Sequence, residues 1–364
     1  MKTIEKLICA TEKIEDPRRQ WGNIRHKLSD ILIIAFSAII CGAQTYDDLE
    51  LFGKARADWF SWFLELKNAT PSADTFARIF EILDPKIIAK SLRRIIEAEE
   101  IYGKIIAFDG KTIRGSKSDE TRGFQVLSAF LVDGQIVMGE EIIDENSNEI
   151  TAIPDLLDQL QVQGATVTID AAGTQTKIAE KIVEKEANYV LALKKNHPDL
   201  YEDVALYFAN ETVPQCKITK NKSGSRNETR EYFLETEIDW LHNREKWAGL
   251  SAIGAVHSTV EIKGEMREET RYFITSLTDV ALFAQAVRSH WGIENSLHWH
   301  LDVSFGEDAS RVRDKNAAGN WNVLRKTALE YLKQLDPGKK VSIKSRRKLA
   351  GWDNSYLERV LVGG

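Results

Sequence analysis

The chain has 364 residues, 43% hydrophobic and 29% charged, with 7 prolines. This is ordinary globular material, long enough for two or three domains with cores of their own. Its three cysteines, Cys9, Cys41 and Cys216, are far apart and form no C-x-x-C pair, which argues against a disulfide framework or a cysteine-built zinc site and fits a reducing cytoplasm. The opening MKTIEKLICATEKIED has too short an apolar run for a secretory signal. The longest apolar stretch, Ile31 to Ala43, falls short of the ~20 residues of a membrane span, so no membrane partner is expected. Net charge is -6, which weighs mildly against nucleic acid, because phosphate contacts come from Lys and Arg. Basic residues nonetheless cluster at Arg18, Arg19, Arg25 and Lys27, and again at Lys339, Lys340, Lys344, Arg346, Arg347 and Lys348. Each cluster, taken alone, reads as a solvated face or tail.

Residues 1 to about 100 read as helical throughout. The run from Ile31 predicts a buried helix, capped by Ser29 or Asp30 and stopped near Gly42. With the 46–58 segment it is spaced like a helix-turn-helix, a spacing that many helical hairpins share. In TPSADTFARIFEIL, Ser72 is an N-cap, and Phe76, Ile79, Phe80 and Leu83 recur at i, i+3, i+4, i+7. The next segment repeats the pattern with Ile88, Leu92, Ile95 and Ile96.

The texture changes after Gly103. KIIAFD is a short apolar run ending in an acid, and QVLSAFLV and QIVMG are separated by the hairpin signal Asp133-Gly134. A helix is predicted from about Thr151 to Leu160, with Pro154 in its first turn. TVTID is a second β-branched run ending in an acid; a helix from about Thr176 to Glu186 and the strand YVLALK follow. The order β-β-β-α-β-α-β is that of the ribonuclease-H-like α/β fold, a mixed five-stranded sheet covered by helices. From His197 to about Leu277, polar stretches such as NKSGSRNETR separate strand-like runs and predict a mainly β insertion. Helices resume from about Ala281 through Leu301 and from about Ala317 to Leu335. The expected divisions are a helical domain over 1–100, a catalytic domain over 101–335 and a basic tail over 336–364.

Two predicted strands end in an aspartate, Asp109 and Asp170, and a third acid, Glu294, lies in a late helix. Hard divalent ions prefer such oxygen ligands, and a pair of them about 3.5–4 Å apart can activate an attacking water or hydroxyl and stabilise the leaving oxygen of a phosphodiester. Singly, each acid reads as a turn former, a cap or a solvated glutamate. Their joint placement, on the first strand, the fourth strand and the late helix, is where this fold holds metal. Asp109 is followed by GKTIRGS, but position 105 is Ile105 where a P-loop needs glycine, so an NTPase is rejected. Lys111 and Arg114 then read as phosphate contacts. Helical spacing places His290, Glu294 and His298 on one face, beside Trp291 and Leu297, with Arg288 on the flank. The pattern is not H-E-x-x-H, so His290 and His298 read as DNA contacts rather than zinc ligands. Trp291 and Trp299 are expected first as core residues and only second as stacking partners for a base.

The blocks DPRRQWGNIRHKLSDIL, PSADTFARIF, AFDGKTIRGS, NSNEITAIPDLL, TIDAAGTQ, NYVLALKKNHPDL and HWGIENSLHWHLDVSFGEDASRVR carry a resemblance over nearly the whole chain. The sequence resembles the DDE insertion-sequence transposases of the H-repeat-associated (ISAs) type. The resemblance implies a ribonuclease-H-like core preceded by a transposase-associated helical domain that binds DNA. It implies Mg²⁺-dependent cleavage and strand transfer at terminal inverted repeats, with Mn²⁺ as a substitute and Asp109, Asp170 and Glu294 as the DDE triad. Double-stranded DNA, both element ends and target, is the implied partner. A dimer or higher oligomer on DNA, in a bacterial cytoplasm, is the expected setting. Asn148 and Glu149 lie in the matching SNEI motif without an assigned role. A related group carries Tyr and Arg before the helical Glu; Val287 and His290 stand there in this chain, so hairpin-type strand chemistry is not implied. The run Lys194-Lys195-Asn196-His197 departs from the family's K-G-N-Q, and SGSRNETR from its G-H-G-R-x-E-T-R. A relative that binds DNA without moving it stays open as the alternative.

Overall fold

The computed structural model describes residues 4–18, 24–92, 98–117, 123–143, 147–210, 215–335 and 341–362; Arg19, Ile95, Ile96, Lys339 and Lys340 lie outside the described residues. The chain divides into two compact units, one of Met1–Ile95, Thr112–Gln125 and Ser296–Gly364, the other of Ile96–Lys111 and Val126–Asn295. The helical domain expected over 1–100 is therefore part of a unit that later segments complete.

The first unit opens with α1 (Ile4–Glu12) and α2 (Leu28–Cys41). Helix α2 is apolar all round and buries every residue before Cys41, as a core helix does. Its cap differs from expectation: Lys27 is the last extended residue, and Ser29 and Asp30 sit buried in the first turn. Gly42 ends it as expected. Helix α3 (Tyr46–Ala55) starts with a Thr45–Asp48 capping box, and α4 (Ala57–Phe60) follows. Ser72 caps α5 (Ala73–Ile82) by accepting from the Thr75 N–H, and the expected stripe of Phe76, Ile79 and Phe80 is buried. Helix α6 (Pro85–Leu92) buries Ile88 and Leu92. Among the described residues no single helix is long and apolar enough to cross a membrane.

The second unit begins with α7 (Ala98–Ile101) and runs through β1 (Ile105–Thr112), β2 (Gln125–Leu131), β3 (Ile136–Ile143), α8 (Glu149–Gln159), β4 (Thr166–Ile169), α9 (Thr176–Glu184) and β5 (Asn188–Leu193). Their order across the sheet is β3-β2-β1-β4-β5, with β4 parallel to both neighbours, the ribonuclease-H-like arrangement. Asn148 acquires a role: its side chain caps α8 by accepting from the Thr151 N–H. The insertion is not purely β, since α10 (Pro198–Asn210) leads into β6 (Gln215–Ser223), β7 (Arg226–Glu235), β8 (Ala252–Ile262) and β9 (Glu265–Thr275). Nor do these strands stand apart. β9 pairs antiparallel with β5 (Leu193↔Tyr272 to Val190↔Thr275), so the described sheet has nine strands where five were expected. Pairing satisfies the N–H and C=O groups that an open β5 edge would expose.

Asp279 caps α11 (Val280–Ile293) with both the Ala281 and Leu282 N–H groups. Phe283, Ala284, Ala286 and Val287 pack with Ile105, Val190, Tyr232, Leu234 and Phe273, whereas Ile106, Phe108, Val167 and Ile169 pack with α8 and α9. Strand alternation thus assigns α11 and the α8–α9 pair to opposite faces. Glycine lets α11 lie close, because a Cβ on Gly292 would stand 2.7 Å from Val132 Cγ1.

The single long helix expected to Leu301 is interrupted. Glu294–His298 form a π turn, and α12 (Trp299–Val303) continues beyond it in the first unit. Helix α13 (Lys315–Gln334), capped by Asp314, packs on α2, α5 and α6; α14 (Ile343–Trp352) packs on α2, and α15 (Asn354–Val362) on α14. The C-terminal basic run is only partly solvated. Arg347 is buried and donates to the carbonyls of Ile39 and Ile40 at the end of α2, and Arg346 donates to those of Leu332 and Leu335. Near the N-terminus Arg18 is likewise buried, against Asp16 and the His26 carbonyl. Guanidinium groups in these places cap helix ends and turns, work the charge pattern does not reveal.

Candidate functional site

Register places the two aspartates side by side. Phe108 on β1 pairs with Ile169 on β4, so Asp109 and Asp170 occupy the next step of adjacent parallel strands, about 4.8 Å apart in the pairing direction. Asp170 follows the last residue of β4, whereas β1, expected to end at Asp109, runs on to Thr112. Alternation sets their face. Ile106, Phe108, Val167 and Ile169 point to α8 and α9, so Asp109 and Asp170 point to the α11 face, as do Lys111 and Thr168. Glu294 follows the last residue of α11, and its carboxylate comes within 4.8 Å of that of Asp109.

The loop that carries Asp170 is tied from several sides. Asp170 Oδ1 accepts from the N–H groups of Ala172 (3.0 Å) and Gly173 (3.3 Å). Gly173 is required there, since a Cβ would stand 2.5 Å from Ile169 Cγ2 and 2.7 Å from Ile153 Cδ1. Thr174 Oγ1 donates to Ala192 O (2.6 Å), Asn196 Nδ2 donates to Ala171 O (2.8 Å), and His197 Nε2 donates to Thr174 O (2.7 Å). Asn196 and His197 were visible in the sequence only as a departure from a motif. Here they hold the aspartate loop.

His290 sits above β4, its Nδ1 2.9 Å from Thr168 Oγ1. Burial lowers its pKa below the ordinary histidine value, while the carboxylates of Asp109, Asp170 and Glu294 pull it upward. All three acids act on this one ring, while the approach within 4.8 Å is that of Asp109 and Glu294 and does not include Asp170. Sequence reasoning missed Thr168, although its place two residues before Asp170 puts it on the same strand face.

The other expected contacts separate. Arg288 is exposed on α11 and Lys111 is partly exposed on β1. Arg114 belongs to the helical unit, highly exposed, with its Nε 3.6 Å from Asp308 Oδ2. His298 is only 5% exposed, too buried for the DNA-contact role expected of it. A π turn changes which side chains share a face, and such turns are frequent at functional sites. Trp291 and Trp299, expected in the core, are 40% and 53% exposed because they fall outside the buried stripe that contains Ile293 and Leu297. Arg271 of β9 covers the Trp291 ring at 4.9 Å, a cation–π contact beside the acids.

The acids fit a divalent cation. Opposite oxygens on one Mg²⁺ stand about 4.2 Å apart, twice the ~2.1 Å ligand distance. The Asp109–Glu294 approach of within 4.8 Å is close to that span, and an all-carboxylate pair suits a hard ion.

A family model described as a transposase DDE domain matches residues 103–330, and one described as DDE_Tnp_1-associated matches residues 10–96. The "Putative transposase YncI" of Escherichia coli O157:H7 is 37% identical, the alignment covering 99% of this chain and 95% of that protein. The "H repeat-associated putative transposase YhhI" of Escherichia coli K12 is 34% identical over 99% of this chain and 98% of that protein. Among solved structures, a piggyBac transposase synaptic complex with hairpin DNA aligns with TM-score 0.48 and 10% identity, over 98% of this chain and 79% of that one.

Proposed function

Because the chain belongs to the DDE transposase family, we propose that it cleaves and rejoins DNA at the terminal inverted repeats of its own insertion sequence, using Mg²⁺ or, in its place, Mn²⁺. The observation that carries this reading is the arrangement of Asp109 and Asp170 at matching steps of adjacent parallel strands, with Glu294 brought to Asp109 within 4.8 Å. Asp109, Asp170 and Glu294 would hold the metal, which supplies a polarised phosphate and an activated attacking oxygen. The protein's own groups do the rest. The Ala172 and Gly173 N–H groups aim the Asp170 carboxylate, and Asn196 and His197 stop its loop from drifting. The bond between Thr168 Oγ1 and His290 Nδ1 fixes the ring and leaves Nε2 to meet the phosphate. Lys111, on the same strand face as Asp109, adds positive charge beside the acids.

Duplex DNA, both element ends and target, is the proposed partner, bound by a dimer or higher oligomer within the bacterial cytoplasm. The helical N-terminal segment matched by the DDE_Tnp_1-associated model is the proposed end-binding part. The test is cleavage of a labelled terminal-repeat duplex by purified protein in Mg²⁺, Mn²⁺ and Ca²⁺. Cutting in Mg²⁺ or Mn²⁺ that Glu294→Ala removes supports the reading. Tight end-binding with no cutting under any metal would instead favour a host-retained DNA-binding relative.

A further inference from the structure

Within the helical unit, a cleft of about 590 Å³ opens between the start of α3, the end of α5 and the segment leading into α13. Arg325 of α13 lines it, 2% exposed, with Nε and Nη2 finding no hydrogen-bond partner among the described residues. A buried guanidinium without partners for its N–H groups is costly, because it gives up water and receives nothing in return. The Trp321 face, 4.9 Å away, offsets part of that cost but accepts none of those protons. Glu307 is the buried carboxylate whose charge acts on Arg325, and it already accepts from Asn322 Nδ2 at 2.8 Å. A second buried guanidinium, Arg347, lies close enough to lose proton affinity to Arg325. Arg347 spends its N–H groups on the carbonyls of Ile39, Ile40 and Ser304, and Lys326 and Glu330, both buried, add one charge of each sign.

The rim adds Arg311 and Arg313, both exposed, against the exposed Asp47 and Glu81; Asp314 is engaged as the α13 cap. Tyr46 and Trp321 line the same walls. The cleft is large enough for a phosphate with an attached sugar and base.

We infer that this cleft is a phosphate-binding site, with Arg325 as its buried anchor and Arg311 and Arg313 as rim contacts. It rests on the proposed DNA reading only for the natural source of the phosphate, a DNA end or backbone as opposed to a free anion. The Arg325 Nε and Nη2 groups without partners among the described residues, with Arg311 and Arg313 at the rim, define the ligand chemistry independently of that source.

The test uses full-length protein in phosphate or chloride at matched ionic strength, followed by thermal melting. Wild type should melt several degrees higher in phosphate. Arg325→Met should lose that response, whatever its own melting temperature in chloride. An equal phosphate response in both proteins, or none in wild type, overturns the proposal. If Arg325→Met does not fold, the Arg311→Gln/Arg313→Gln double variant decides: its phosphate dissociation constant must rise several-fold, and an unchanged constant overturns the site. Duplexes with and without a 5′-phosphate separate the sources. A 5′-phosphate advantage that Arg325→Met erases identifies DNA ends. An equal loss of affinity for both duplexes in Arg325→Met identifies the backbone. A phosphate response without any DNA effect identifies a free anion, and all three uphold the site. Absence of DNA binding altogether would sink the proposed function while leaving the phosphate arm to decide the cleft.

Discussion

Thr168 and His290, 122 residues apart in sequence, are joined by a 2.9 Å hydrogen bond that ties β4 to α11 between the carboxylates. The bond holds the ring where it points. Replacing Thr168 with Val keeps the shape and removes the hydroxyl, at a cost of about 1 kcal/mol in stability. Cleavage should fall by about 10- to 100-fold, the usual effect of losing a group that orients a site residue, with end-binding unchanged. His290→Ala should slow cleavage further without ending it. Thr168→Val activity equal to wild type would show the bond to be structural only.

The three acids should behave as a unit. Asp109→Ala, Asp170→Ala and Glu294→Ala should each abolish cleavage in Mg²⁺ and Mn²⁺, since a clamp that has lost one ligand cannot hold its ions in place. In metal-free buffer Asp109→Ala and Glu294→Ala should melt no lower than wild type, because their carboxylates approach within 4.8 Å and repel. The rise in melting temperature that wild type shows on adding Mn²⁺ should shrink in both. A Glu294→Ala protein that cuts like wild type would remove the triad from the mechanism.

Asn196 and His197 offer a subtler test. Asn196→Ala frees the Ala171 carbonyl and loosens the turn that aims Asp170. Half-maximal cleavage should then need about 10- to 100-fold more metal, with affinity for the duplex unaltered. His197→Gln should retain most activity, because an amide N–H can replace the ring N–H to Thr174 O, whereas His197→Ala should resemble Asn196→Ala. Metal titrations that superimpose on wild type for Asn196→Ala would show that the loop holds itself.

How much of this could be read in advance depends on range. The strands that carry Asp109 and Asp170 were legible because alternation is a local signal, and the same logic would have found Thr168; the end of β1 was not, since the strand runs past Asp109 to Thr112. The Ser72 cap and the α5 stripe were legible for the same reason. The π turn at Glu294–His298 was not, because one extra residue per turn leaves the apolar spacing nearly intact. The pairing of β9 with β5 joins residues about eighty positions apart, and nothing in either strand alone names its partner. Arg347 was read as solvated because a charge run does not show that helix-end carbonyls wait for it.

Lys333 makes the π turn testable through pH. Its Nζ donates to the carbonyl of Ser296 at 2.6 Å, inside the turn whose i→i+5 pattern displaces the usual partners. Burial pushes its pKa down to about 8 from 10.5, with the Glu330 carboxylate pulling the other way. The folded value is the lower one, so between about pH 8 and pH 10.5 the unfolded chain binds more protons than the folded one. Stability from this group therefore rises with pH across that window, and below it the buried ammonium is a standing cost. Lys333→Met removes the titration. The melting temperature of wild type minus that of Lys333→Met should accordingly climb as pH is raised from 7 to 9.5, before buried tyrosines such as Tyr46, at about 12 in the fold, begin to contribute. A difference that stays flat or falls over this range would mean that the ammonium is solvated and does not support the turn.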